Sequence, residues 1–242
     1  MSHDSNAAVQ QQLAGLQEAL DTFWLLFAGC MVFFMQCGFG MLEAGAVKSR
    51  STQNIMLKNL FDAALGGVLW WLVGYGITNE GGSAFIGLTP IGNRTDTHFA
   101  LAGHMLADAE SSSTETGTSG PAWATVFFQF TFAAAAGTIV SGAVAERAKL
   151  PAYLCFASLI TGFVYPVVAH WVWSSEGWLS VSSPNAVSGG MVDFAGSGVV
   201  HMTGGIAAFV GAKIIGPRTG RFDATSACLD LYPCHAAGCG LP

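Results

Sequence analysis

Four side chains that can carry charge, Glu43, Asp62, Asp193 and His201, interrupt stretches of sequence that are otherwise apolar. At membrane depth an ionisable group costs from about 2.5 kcal/mol on insertion scales to 10 or more in simulations, so it marks a pathway, a partner or a capped backbone. For Glu43 and Asp62 the expectation is a salt contact with Lys48 or Lys58, or capping of backbone groups. Asp193 and His201, read on one helix, lie about 12 Å apart by helical rise, with the carboxylate at the mouth of a span and the imidazole near mid-membrane. That separation is too long for a direct hydrogen bond, and no nucleophile motif accompanies the pair, which argues against an enzyme. A mid-membrane histidine can also bond a neighbouring carbonyl, so both readings of His201 stand at this level.

Aromatic residues add a second pattern. Phe127, Phe128, Gln129, Phe130 and Phe132 open one apolar run, and His170, Trp171 and Trp173 close another. Rings turned inward attract a cation through their negative faces, worth about 0.5 to 2 kcal/mol each. Rings turned outward form the interfacial belt of any membrane protein, the role expected for most of Trp70, Trp71, Trp171 and Trp178. Composition does not separate the two. Cys30, Cys37 and Cys155 sit inside apolar runs, where thiols act as small hydrophobes. Cys228, Cys234 and Cys239 lie beside His235 at spacings that match no paired metal motif, so neither a metal nor a cofactor is expected.

The elements that must position these residues follow from composition. Of 242 residues, 52% are hydrophobic and only 10% charged, against about a quarter charged in a soluble domain. With a mean hydropathy of +0.49, these values exclude a nucleic-acid binder and a disordered chain and leave an all-α polytopic membrane protein. Glycine, at 31 residues, is close to twice its usual share of about 7%, which suits close helix packing in lipid. A spanning helix needs about 20 mainly apolar residues, and the stretches Phe23 to Val47, Leu57 to Thr78, Ala122 to Ala145, Leu150 to Trp173 and Val192 to Gly216 qualify.

Of the 9 basic residues, all but Arg94 (Lys48, Arg50, Lys58, Arg147, Lys149, Lys213, Arg218 and Arg221) fall on one side of five such spans. By the positive-inside rule that side is cytoplasmic and the N-terminus lies outside. The first twenty or so residues lack the basic start of a secretory signal. Asn93-Arg94-Thr95 and the Ser/Thr-rich piece from Ser111 to Ser119 are read as external loop.

The segments Gln36-Cys-Gly-Phe-Gly-Met-Leu-Glu-Ala-Gly-Ala-Val-Lys48, Asn54-Ile-Met-Leu-Lys-Asn59, Gly142-Ala-Val-Ala-Glu-Arg147 and Asp193-Phe-Ala-Gly-Ser-Gly-Val-Val-His201 resemble the ammonium transporter and methylammonium permease family, in its eukaryotic, algal or plant-like branch. The resemblance covers roughly residues 20 to 222. It implies the first five-helix half of an eleven-span inverted-repeat fold, assembled as a homo- or hetero-trimer with a pore in each protomer. Carried over residue by residue, it implies Trp173 and Phe128 as walls of an outer ammonium site, Phe132 as one of two stacked gating rings and Asp193 as the carboxylate supporting that site. His201 becomes one of twin pore histidines, with Gln129 a polar neighbour of the gate. The implied partners are ammonium or ammonia, with methylammonium as a further substrate, and the lipid bilayer; nucleic acid is not among them.

The expected organisation is an extracellular N-terminal segment at residues 1–21, an incomplete five-span transmembrane domain at 22–222, and a tail foreign to the family at 223–242. The second gating ring, second histidine and recruiting serine of the family belong to a second half, so the expectation is a truncated fragment of a plasma-membrane transporter. The alternative is a non-transporting subunit or ammonium sensor that retains the fold. A sensor would append a soluble signalling domain, which these residues do not include. An aquaporin-type channel is disfavoured by the missing Asn-Pro-Ala loops.

Overall fold

A computed structural model describes residues 2–79, 82–87, 122–184 and 186–218. Within them, five helical stretches are long and apolar enough to cross a membrane: Asn6–Ala46, Ser49–Thr78, Trp123–Val144, Leu150–Trp173 and Ser197–Ile215, here called spans one to five. The sequon, the Ser111 to Ser119 piece and everything from residue 219 onward lie outside the described residues. Among those described, β-structure is limited to a bridge between Ser180 and Met191.

Span one belongs to a helix running unbroken through Ser2–Ala46, 45 residues, far N-terminal of the apolar stretch beginning at Phe23. Residues 7–21 are rich in Ala, Gln and Leu, all strong helix formers, and only Val9, Gly15 and Asp21 weaken the run. Span five shows the opposite deviation. Its helix begins at Ser197 rather than Val192, because Ala195 and Gly196 take left-handed backbone angles (φ 53° and 77°) that no helix interior accommodates.

Span three is the hub. Its Ala133 to Ala136 run is fully buried, and these small residues let neighbouring backbones approach. Gly204 of span five sits so close that an added Cβ would lie 3.0 Å from the Ala136 carbonyl oxygen. Spans two and four each contain a π-turn, Trp70–Gly74 and Ile160–Val164. The second is explained by Pro166, which has no N–H to return to the preceding turn. At Gly74 an added Cβ would stand 2.7 Å from the Trp70 ring and 3.3 Å from the Thr161 carbonyl oxygen.

Several expectations are overturned by the packing. Trp70 is not an interfacial belt residue: it is 1% exposed, and its indole Nε1 donates to the Val126 carbonyl at 3.1 Å. Trp171 donates to the Phe85 carbonyl at 2.8 Å and stacks edge-on with Trp178, so both help hold the 82–87 segment, while Trp71 does stay exposed. Cys30, Cys37 and Cys155 are free and exposed rather than packed in the chain's own interior.

Glu43, Lys58 and Asp62 are all buried, in a polar cluster built mainly from hydrogen bonds. Glu43 Oε2 accepts from Asn59 Nδ2 at 2.8 Å and from Ser141 Oγ at 3.2 Å. Asn59 Oδ1 in turn accepts from Thr138 Oγ1 at 2.9 Å, and Asp62 accepts from the Tyr153 hydroxyl. Lys58 reaches the Ser141 carbonyl and places its ammonium 4.0 Å from the centre of the Tyr153 ring, rather than bonding either carboxylate directly. The predicted salt contact is thus replaced by a network in which Asn59, Ser141 and Tyr153 donate to the carboxylates and the buried Lys58 ammonium lies alongside without a direct bond to either.

At the same end, the segments after spans one, three and five are tied together. Glu146 accepts the Lys48 backbone N–H at 3.0 Å and pairs with Arg218 at 3.3 Å, and Arg218 donates to the Ala46 carbonyl at 3.1 Å. Arg147 donates to the Gly216 carbonyl at 3.0 Å, satisfying a helix C-terminus.

Candidate functional site

Span three presents Phe128 and Phe132 one helical turn apart, and their rings meet edge-to-face with centroids 5.0 Å apart. Span four ends on Trp173, whose ring stands edge-on to Phe132 at 5.7 Å. The order Phe128, Phe132, Trp173 is therefore a continuous aromatic wall, each contact in the T-shaped arrangement that ring quadrupoles favour.

Asp193 fixes this wall. Its Oδ2 accepts from Trp173 Nε1 at 3.1 Å, which orients the indole. Its Oδ1 accepts from the Gly198 N–H at 2.6 Å and, at 3.4 Å each, from the Val199 N–H and Ser197 Oγ. The carboxylate thus caps the first turn of span five, where unpaired N–H groups and the helix dipole favour a negative charge. This corrects the helical reading of residues 192–196. Asp193 precedes the helix, and the rise that would separate it from His201 by about 12 Å does not apply. The left-handed turn at Ala195 and Gly196 brings the carboxylate back onto the helix start; at Gly196 an added Cβ would lie 2.9 Å from Val200.

These groups line an open cavity of about 260 Å³ whose walls are Phe128, Gln129, Phe132, Trp173, Asp193, Ala195 and Gly196. Five of the six residues singled out from sequence are brought together there. Gln129 Oε1 is buried and has no hydrogen bond among the described residues. The sixth, His201, lies on the π-turn Ser197–Met202, exposed and outside the cavity lining. Ala195 and Gly196 were not anticipated; the only sequence signal for them was the glycine pair flanking Ser197. The site can hold a small cation, offering ring faces, an amide oxygen and a nearby carboxylate. No group of three or more His, Cys, Asp or Glu suited to a metal occurs among the described residues.

Comparison with known proteins shows what the chain as a whole is similar to. Residues 23–237 match the sequence profile described as Ammonium Transporter Family, a match that runs past Phe222. Over 212 residues the chain is 44% identical to ammonium transporter 1 member 3 of Solanum lycopersicum, covering 87% of this chain and 42% of that protein. The ammonium transporter Amt1 of Haloferax mediterranei is 43% identical over 210 residues, 86% of this chain and 37% of that one. Among solved structures, a sensor Amt protein superposes with a TM-score of 0.67 at 27% identity, covering 88% of this chain and 48% of its own. The crystal structure of Candida albicans Mep2 gives 0.65 at 28% identity, covering 81% and 39%. The chain spans about two-fifths of the length of the curated relatives it matches.

Proposed function

The chain belongs to the ammonium transporter family, and on that premise we propose that it supplies the first five-span half of an ammonium-conducting pore, with the outer site that captures the cation. The observation that carries this reading is the Asp193–Trp173 hydrogen bond at 3.1 Å, which sets the indole at the end of the Phe132–Phe128 wall. Ammonium enters against the rings of Trp173 and Phe128, donates to Gln129 Oε1, and is held by the field of the Asp193 carboxylate. Phe132 then closes the path to water and metal cations, and His201 faces the conducting pore beyond it, a surface that a second half would cover. Substrate paths of inverted-repeat carriers run between the two halves.

Energetics favour loss of a proton at this site. Carrying an intact ion into a dry apolar path meets a Born-type cost of order 20 kcal/mol before compensation. Deprotonating a group with a lysine-like reference pKa of about 10.4 at neutral pH costs roughly 4 to 5 kcal/mol. Neutral ammonia then passes His201, while the proton returns or travels separately.

The proposed setting is the plasma membrane, with the N-terminus outside, the 22–222 region as the transmembrane domain and protomers grouped in threes. The basic residues on one side and the ties joining the ends of spans one, three and five support the orientation. Uptake of labelled methylammonium by cells lacking their own ammonium transport tests the site, using a complete protomer that carries this half. Trp173→Leu removes one cation–π contact of about 0.5 to 2 kcal/mol and should raise the half-saturating concentration about 2- to 30-fold with little change in maximal rate. An unchanged half-saturating concentration would return Trp173 to a packing role.

A further inference from the structure

The polar cluster shared by spans one to four carries a charge imbalance that its hydrogen bonds do not resolve. Span one contributes Glu43, and span two contributes Lys58 and Asp62; they are 4%, 7% and 6% exposed. Span four adds the Tyr153 hydroxyl, while span three adds only the uncharged Thr138 and Ser141. The charged side chains that follow span three are engaged elsewhere, Glu146 with the Lys48 N–H and Arg218, and Arg147 with the Ala212 and Gly216 carbonyls. Arg50 and Lys149, near the starts of spans two and four, are exposed. Two carboxylates and one ammonium, all ionised, leave one negative charge uncompensated. Inside a protein such a charge is far costlier than a neutral polar group.

Two oxygens register the imbalance. Glu43 Oε1 and Asp62 Oδ1 are buried and accept no hydrogen bond among the described residues. The two carboxylates differ in support. Glu43 Oε2 accepts from both Asn59 Nδ2 and Ser141 Oγ, donors that stabilise its negative charge, whereas the Tyr153 hydroxyl donates to Asp62 Oδ2. Lys58 bonds neither carboxylate directly; it donates to the Ser141 carbonyl at 3.5 Å and stands over the Tyr153 ring. A proton added at Asp62 Oδ1 therefore removes the surplus charge and breaks none of these hydrogen bonds. A metal ion suits the place less well, because it gathers a shell of several oxygens, and no group of three or more His, Cys, Asp or Glu suited to a metal lies among the described residues.

We propose that the cluster is a buried proton-binding site, with Asp62 Oδ1 as the atom that takes the proton. The water that supplies it lies at the nearer end of the spans, since Glu43 is within one turn of Ala46 and Tyr153 within one turn of Leu150. A hydronium ion there gives up its proton, an O–H bond forms at the carboxyl, and water is left; no electron moves. Glu43 and Lys58 then balance each other, and four spans pack around a set without net charge. Ser141 lies about 20 Å beyond Phe128 along span three by helical rise, so the site is separate from the aromatic cavity and its failure leaves the transport reading intact.

Infrared spectroscopy of the detergent-purified full chain reads the proton directly, because a neutral carboxylic acid and a carboxylate absorb in separate bands. At about pH 6, exposed Asp and Glu are ionised. The parent is expected to show an acid band that is lost in Asp62→Asn, which removes the oxygen that takes the proton. The band is also expected to be lost in Glu43→Gln, which removes the surplus charge so that Asp62 ionises against Lys58. Glu176→Gln, at an exposed position, should keep it. Both cluster substitutions copy a neutral carboxyl in shape, so folding is retained. No acid band in the parent, or a band that survives either cluster substitution, would overturn the proposal. The unfolding equilibrium gives a second reading. An unfolded Asp62 releases its proton near the ordinary carboxylate value of about 4, so the folded chain binds one proton more and loses stability as pH rises. Between about pH 5 and 6 the parent's unfolding constant should climb about tenfold relative to that of Asp62→Asn. A ratio independent of pH would also overturn the proposal.

Discussion

Asp193 does two jobs with two oxygens: one holds the indole of Trp173 and the other closes the first turn of span five. Charge and the hold on the indole fall together at this residue. Asp193→Asn keeps an oxygen for the Gly198 N–H but sets an NH2 donor against Trp173 Nε1–H and removes the negative charge; the expected outcome is membrane abundance within about twofold of the parent and methylammonium uptake lowered at least tenfold, about 1.4 kcal/mol or more. Immunoblotting of membranes alongside labelled uptake checks both. His201 calls for a different expectation, since it lies off the cavity. On the proposed function, His201→Ala in a complete protomer should leave the half-saturating concentration within about twofold and change the maximal rate or the exclusion of potassium, because the proposed conducting path would lose a polar partner. Competition by potassium in the uptake assay reads the second effect.

Among the elements, the four-span polar cluster matters more for stability than its size suggests. Lys58 and Asp62 share span two and are buried with Glu43 of span one, and Tyr153, Asn59, Thr138 and Ser141 supply the donors. Removing one charge of a buried set leaves the others uncompensated, typically at about 3–5 kcal/mol. Lys58→Met is therefore expected to destabilise the detergent-purified protein by that amount. Gly142→Ala, whose Cβ would press on Glu43 Oε1 at 3.3 Å, should cost about 1–3 kcal/mol. Thermal unfolding of the two variants in one detergent gives the order; a Lys58→Met protein as stable as its parent would show that the cluster is not a charged network.

For the whole molecule, the ties at Glu146, Arg147 and Arg218 gather the ends of spans one, three and five, so tags at the two termini should lie on opposite sides of the membrane. Protease added to intact cells is expected to remove an N-terminal tag and spare a C-terminal one; the reverse pattern would invert the orientation. Phe194, Phe209 and Ile214 are among the most exposed apolar residues, apolar surface that lipid or a second half has to cover. The polypeptide of residues 1–242 is accordingly expected not to restore growth on low ammonium to cells lacking uptake unless a second half is expressed with it. Robust growth with this polypeptide alone would show that five spans suffice for a pore.

Sequence alone determined what depends on composition and local period. Charge scarcity and apolar runs of membrane length gave five spans, because the bilayer imposes a length and a polarity that no tertiary detail alters. The motifs carried the family and most of the cavity, since Phe128, Phe132, Trp173 and Asp193 occupy positions whose spacing can be matched residue by residue. Tertiary structure decided which way side chains face. Trp70 looked interfacial and is core, because whether a ring meets lipid or a neighbouring span depends on helix rotation, to which hydropathy is blind. Asp193 looked helical and is a cap, because the left-handed turn at Ala195 and Gly196 is a backbone choice stabilised by contacts with span four. Glu43, Lys58 and Asp62 looked like local ion pairs and are parts of a network whose donors come from spans two, three and four, brought within hydrogen-bonding reach only when the helices pack.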